Sequence, residues 1–218
     1  MLNRVELKTT AKSQLKDKWG KAAIVTLIYL LISIGLSVLS NIPYIGRIFS
    51  LAQLFLLPPL VFGYLMIFVS FVKDNVEIET GNLFKGFNYY AKSLGIYFWE
   101  ILWVFLWSLL LFVPGIIKAL SYSQAFFIVV DNPNVKVRDA LKISILMTEG
   151  YKGEIFVMGL SFIGWCLLGM ISAFIGFIWI TPYMLTTYTN MFYKLKEQSI
   201  QSGKCTEDMF NGTTTLVS

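Results

Sequence analysis

The sequence predicts an all-α, polytopic membrane protein: six transmembrane helices as three hairpins, each preceded by a cytoplasmic amphipathic interfacial segment. Three observations lead there. Of 218 residues, 56% are hydrophobic and 14% charged, where a soluble domain carries about 25% charged residues; mean hydropathy is +0.66. The apolar residues come in runs long enough to cross hydrocarbon, which takes about 20 residues. The basic residues fall in four polar segments that share one side when six spans are counted, whereas five spans would scatter them.

The elements follow in order. Residues 1–21 are polar and basic. Arg4, Lys8, Lys12 and Lys16 form a ladder beside Leu7, Ala11, Leu15 and Trp19, which recur every four residues and share a helix face. This is the pattern of a helix on an anionic membrane surface. Lys8, Lys12, Lys16 and Trp19 are its candidate membrane-surface residues, either as a plain topological anchor or as a lipid-sensing or partner-docking element. The run 22–39 exceeds a signal-peptide core and reads as an uncleaved first span. The second span is 48–72, with Pro58-Pro59 inside it. Residues 94–130 would make one helix of about 55 Å at 1.5 Å per residue, too long for one crossing. A turn at Pro114-Gly115 therefore divides them into 94–113 and 114–130. The same argument splits 155–193 near 172–176.

Asn132-Pro133-Asn134 supplies helix-start signals for an amphipathic segment over 135–149, with Val137, Leu141 and Ile145 on one face. Residues 198–218 are polar and rich in Ser, Thr, Gly and Asn, which reads as a disordered cytoplasmic tail. The domain division is thus 1–21, 22–197 and 198–218. On this count sixteen of the 18 basic residues share a side, leaving Arg47 and Lys118. The positive-inside rule puts both termini in the cytoplasm and accounts for the net charge of +5 without nucleic acid. The aromatic–lysine pairs at Trp19–Lys21, Tyr90–Lys92 and Tyr151-Lys152, together with a proline in the second helix of each pair, suggest a threefold repeat. Convergence on interfacial residue types would give the same pattern.

Chemistry is scarce. With no histidine, Ser-His-Asp and Cys-His catalysis and His-ligated metals are excluded. Cys166 and Cys205 are far apart, and no acidic cluster, phosphate loop or nucleophile motif occurs. No catalytic residue, metal or cofactor is expected. Polar residues inside the spans raise a functional reading because charge in hydrocarbon is costly. The candidate ligand-binding residues are Lys118, Ser121, Tyr122 and Glu100. Lys118, Ser121 and Tyr122 are three and four residues apart and share a face that suits an anionic headgroup or solute. Lys118 snorkelling from an outer turn is the plainer alternative. Glu100 lies too far inward to pair with it.

The run Pro114-Gly115-Ile116-Ile117-Lys118-Ala119-Leu120-Ser121-Tyr122-Ser123, followed by Asp131-Asn132-Pro133, resembles a family of Firmicutes multi-pass membrane proteins known as domain of unknown function nine-seven-five. Trp19-Gly20, Leu160–Trp165, Gly176, Pro182-Tyr183 and Phe192-Tyr193 fit the same resemblance, which covers about 5–197. A more distant similarity is to the membrane domain of glycerophosphodiester phosphodiesterases, whose soluble catalytic domain is missing here. The resemblance implies a bacterial plasma-membrane location and transfers no catalytic residue. Three functions remain open: a non-enzymatic envelope accessory or partner-binding subunit, a small transporter or substrate-binding membrane subunit, and a lipid-binding protein. The partners expected are the bilayer, anionic lipids of its inner leaflet, and an unknown protein.

Overall fold

The computed structural model describes residues 2–44, 46–110 and 112–213. Among these there is no strand. The helices are α1 (Arg4–Leu15), α2 (Trp19–Leu39), α3 (Gly46–Asp74), a 3-10 segment (Thr80–Tyr89), α4 (Tyr90–Leu110), α5 (Phe112–Tyr122), α6 (Ala125–Asp131), α7 (Val137–Thr148), α8 (Lys152–Leu160), α9 (Ile163–Ile171), α10 (Phe177–Gln201) and α11 (Glu207–Asn211). Among the described residues three stretches are long and apolar enough to cross a membrane: Trp19–Leu39, Gly46–Asp74 and Lys152–Ile171.

The N-terminal segment is shorter than expected. Asn3 caps α1 by accepting from the Val5 and Glu6 amides. The chain turns at Asp17, whose φ of 65° breaks the continuous helix that the four-residue spacing predicts through Trp19. Trp19 instead starts α2. Leu7, Ala11 and Leu15 are buried against α10, so the apolar face of α1 is used by the bundle. The predicted turn at Pro114-Gly115 also moves. Pro114 lies in the first turn of α5, where a missing N–H costs no hydrogen bond, so the break precedes it. Gly115 then backs onto α4, and an added Cβ would overlap the Ser108 hydroxyl. The expected break at 172–176 is present: Ala173 and Phe174 are left-handed, and the Ser172 hydroxyl donates to Gly169 O (2.9 Å) and accepts from the Gly176 amide (2.9 Å).

Two further expectations are corrected. Asn132-Pro133-Asn134 is a turn rather than a cap, since Asn132 Oδ1 accepts from the Asn134 amide (3.0 Å) and α7 starts at Val137. Its buried face is Ala140, Ile143, Ser144 and Met147 more than Val137 and Ile145. The polar stretch 198–213 is ordered rather than disordered. α10 runs to Gln201, α11 follows, and Cys205 and Phe210 are buried. The anchor is local: Asn132 Nδ2 donates to Phe210 O (3.1 Å), and Lys204 pairs with Glu149 (3.2 Å). The rest of that expected tail, 214–218, lies outside the described residues.

α3, α6 and α10 form the centre. The Phe62 ring lies tilted against Phe126, and Phe127 stacks on Phe192. The 3-10 segment meets α3 backbone to backbone. A Cβ on Gly63 would overlap the Leu83 carbonyl, and one on Gly86 would overlap the Pro59 carbonyl. The burial is uneven along the helices. Leu60–Phe71 of α3 is mostly buried, while Ile48, Leu51 and Phe55 of the same helix are exposed. α4 is exposed at Phe105 and Leu109, and α9 at Leu168 and Ile171.

Because Gly86 sits on backbone, Gly86→Ala should lower stability by about 2 kcal/mol or more. Gly81→Ala, in the same segment with open space around it, should be near neutral. Thermal unfolding of the detergent-solubilised variants checks the difference.

Candidate functional site

Two features position polar groups inside the bundle. The first is the break between α5 and α6, where Ser121 to Gln124 leave the helical hydrogen-bond ladder. α7 repairs it: Ser144 Oγ donates to Ser121 O (2.7 Å) and accepts from the Gln124 amide (3.2 Å). Thr148 Oγ1 adds a longer bond to the same carbonyl (3.4 Å). An unpaired buried backbone group would cost about 1–3 kcal/mol, so one hydroxyl stabilises both ends of the break. Gln124 is 1% exposed; its Nε2 donates to Ser123 Oγ (3.0 Å), and its Oε1 is buried with no hydrogen-bond partner among the described residues.

The second feature is a set of three adjoining, open-sided cavities. One, of about 540 Å³, is lined by Tyr97, Glu100, Phe105 and Ser108 of α4, Val61 of α3 and Phe126 of α6. The next, of about 470 Å³, shares Val61 and Phe126 and continues along Tyr64, Cys166 and Met184. The third, of about 390 Å³, joins it through Phe127 and Tyr188 and reaches Gln124 and Phe156. The walls are apolar except at a few polar side chains, which is the usual make-up of a ligand site.

Glu100 is the only acidic residue in these walls. It is half-buried, and no hydrogen bond or ion pair to it is found among the described residues. Lys118 is elsewhere. Its Nζ stands 4.7 Å from the Trp107 ring and 5.9 Å from the Tyr122 ring, within cation–π range. Ser121 does not join that face, because its side chain is 1% exposed and donates to Ile117 O (2.8 Å). Of the four candidate ligand residues, only Lys118 and Tyr122 are brought together. Tyr122 also edges a groove with Trp99, Trp103 and Arg138.

The candidate membrane-surface residues divide as well. Lys8 Nζ donates to Ser161 O (3.1 Å) and lies 4.0 Å from the Phe162 ring centroid. Burial first, then the Arg4 and Lys12 charges, hold its ammonium below the ordinary lysine value. Lys12 reaches the Trp165 and Tyr183 rings (5.7 and 5.6 Å). Lys16 is exposed at the end of α1, and the Trp19 ring lies 6.5 Å from that of Tyr183.

At the opposite end of α6 from Gln124 is a group that sequence reasoning missed. Asp131 Oδ1 accepts from Lys73 Nζ (2.7 Å) and Tyr193 OH (2.9 Å), and Oδ2 accepts from Lys196 Nζ (2.7 Å). Its side chain is 3% exposed. Burial alone would raise the carboxyl, but the hydrogen bonds from Lys196 and Lys73 outweigh it and leave Asp131 below the usual aspartate range. The sequence carries a signal for it: Asp131 opens the Asp-Asn-Pro run, and Lys73 and Lys196 lie towards the C-terminal ends of their own helices. The cavity aromatics had no such signal, because Tyr97 and Phe126 read as ordinary span residues.

A family model described as a protein of unknown function (DUF975) matches residues 1–121 and 109–199, and the chain belongs to that family. No curated protein and no solved structure matches it significantly.

A depressed aspartate stabilises the fold above its unfolded pKa, and that contribution is lost as pH falls through the folded value. Acid stability should therefore fall below about pH 4. Asp131→Asn should cost about 2 kcal/mol at neutral pH and flatten that acid limb. Unfolding midpoints measured from pH 3 to 7 check both.

Proposed function

We propose that this member of the family is a six-span protein of the bacterial plasma membrane that binds a membrane-resident apolar ligand between its helices, without a catalytic step. The carrying observation is the set of three adjoining apolar cavities that meet at Val61/Phe126 and Phe127/Tyr188. They lie where the flanking helices expose Ile101, Phe105, Phe156 and Ile163, so a ligand would enter sideways from lipid rather than from water.

Six spans are supported by pairing. α2 packs on α3, α4 on α5, and α9 on α10, and α4 alone is 21 residues long. Each amphipathic segment also docks on the second arm of the preceding pair: the 3-10 segment on α3, α7 on α5 and α6, and α1 on α10. This is a closed ring of three like units, with the N-terminal segment completing it. The aromatic–lysine pairs stand at comparable places, since Trp19 and Tyr90 start α2 and α4, and Tyr151 precedes α8. Under this reading Lys16, exposed at the end of α1, faces the inner leaflet, where a basic residue contributes about 1 kcal/mol of attraction to anionic lipid, while Lys8 and Lys12 lie on the bundle's own rings. The termini are cytoplasmic by the positive-inside rule.

Two measurements test this reading. Single cysteines at Thr80 and Lys142 should be shielded from an impermeant external thiol reagent in intact cells. Cysteines at Asn41 and Ser172 should react, and the reverse pattern overturns the topology. Val61→Trp should fill the junction of two cavities and reduce co-purifying lipid, read by native mass spectrometry, by half or more. Unchanged lipid in a folded variant overturns the ligand reading.

A further inference from the structure

We infer that the α4 cavity is a binding site for a lipophilic cation, with the Glu100 carboxylate as its counter-ion. The inference rests on the cavity reading above and adds the ligand's chemistry. Glu100 stands ten residues from either end of α4 (Tyr90–Leu110), so its side chain is remote from both ends of that helix. A carboxylate in such a place is costly unless paired. The other charged groups nearby are committed elsewhere: Lys118 lies on Trp107, and Arg138 lies over the Trp99 ring at 5.2 Å. Among the described residues no ion pair reaches Glu100 and no hydroxyl donates to it; Ser108, four residues above Val104, gives its proton to the Val104 carbonyl (2.7 Å).

The remaining walls describe the body of the ligand. Tyr97, Phe105 and Phe126 contribute three aromatic rings. An aromatic face attracts a cation within about 6 Å, most strongly when both are desolvated. Ile101 and Val104 supply aliphatic surface. One negative charge, three rings and an apolar cavity of about 540 Å³ open on one side suit a bulky organic cation that partitions into lipid. They do not suit an anionic headgroup, which Glu100 repels, nor a hydrated metal ion, for which one carboxylate provides too few oxygen ligands.

The site differs in kind from the neighbouring cavities. Among the described residues, neither the middle nor the third cavity has a charged lining residue. An apolar neutral molecule could therefore occupy those two, while a cation gains specifically beside α4. Charge complementarity, rather than area, decides which cavity it takes.

The test uses the full-length protein in detergent or lipid nanodiscs, with tetraphenylphosphonium as the cationic probe and Nile red as a neutral one. The protein should bind tetraphenylphosphonium, and Glu100→Gln should weaken that binding at least tenfold while Nile red binding stays within twofold. Tyr97→Leu, which keeps the carboxylate and removes a ring, should weaken the cation severalfold. Glu77→Gln, which alters only the exposed pair with Lys21, should change neither probe. Thermal unfolding confirms that each variant is folded; if Glu100→Gln is not, Ala119→Trp, which fills the same cavity, takes its place with the same expected loss. Cation binding that is absent, or indifferent to Glu100 and Tyr97 while Val61→Trp still displaces Nile red, overturns the cation site and leaves the apolar cavities standing. Nile red binding that Val61→Trp does not affect overturns the cavity reading, and the cation site with it.

Discussion

The arrangement depends on one buried carboxylate. Asp131 ends α6 and holds Lys73 at the end of α3 and Lys196 near the end of α10, with Tyr193 as a third donor. These are the three helices at the centre of the molecule. Burying a charge this far is tolerable only when it is paired and hydrogen-bonded, and the net gain in stability from such a cluster is modest. Its larger effect is on alignment. Three helices can slide along an apolar seam at small cost, but a carboxylate with three donors fixes their relative height. The next residues carry the consequence onward: Asn132 clasps Phe210, which is why a polar C-terminal stretch is ordered there.

Beyond that fixed end, the core is filled by three shorter segments. α1, the 3-10 segment and α7 each bring an apolar face into the bundle, and glycines at 63 and 86 allow the closest of these approaches. The far ends of the long helices have no such filler. Leu109, Ile171 and Ile48 stay exposed there. In water that exposure would be unfavourable at about 25 cal/mol per Å²; against lipid tails it carries no such penalty.

The polar groups of the bundle fall into two kinds. Ser121, Ser144 and Thr148 serve the backbone at the α5–α6 break and are fully used by it. Glu100 and the Gln124 carbonyl oxygen find no hydrogen-bond or ion-pair partner among the described residues. Sequence spacing groups Ser121 with Lys118 and Tyr122, because residues three apart on a helix are neighbours. The fold separates them, because Ser121 turns toward α7 while Lys118 lies on the Trp107 ring.

The sequence by itself determined the helical class, the apolar runs, the turn at 172–176 and the shared apolar face of Leu7, Ala11 and Leu15, though not that this face packs on α10. These follow from composition and period, which are local properties of the chain. It also singled out Glu100, since a lone carboxylate in an apolar run stands out without any knowledge of its neighbours. Only the tertiary structure decided that Pro114 starts a helix rather than ending one, that Lys73, Asp131 and Lys196 meet, and that 198–213 is held. Those outcomes depend on which distant segments arrive beside them. Hydrogen bonds and backbone contacts across 58 to 78 residues leave no periodic trace in the sequence, so the chain could announce its helices but not the place where they lock.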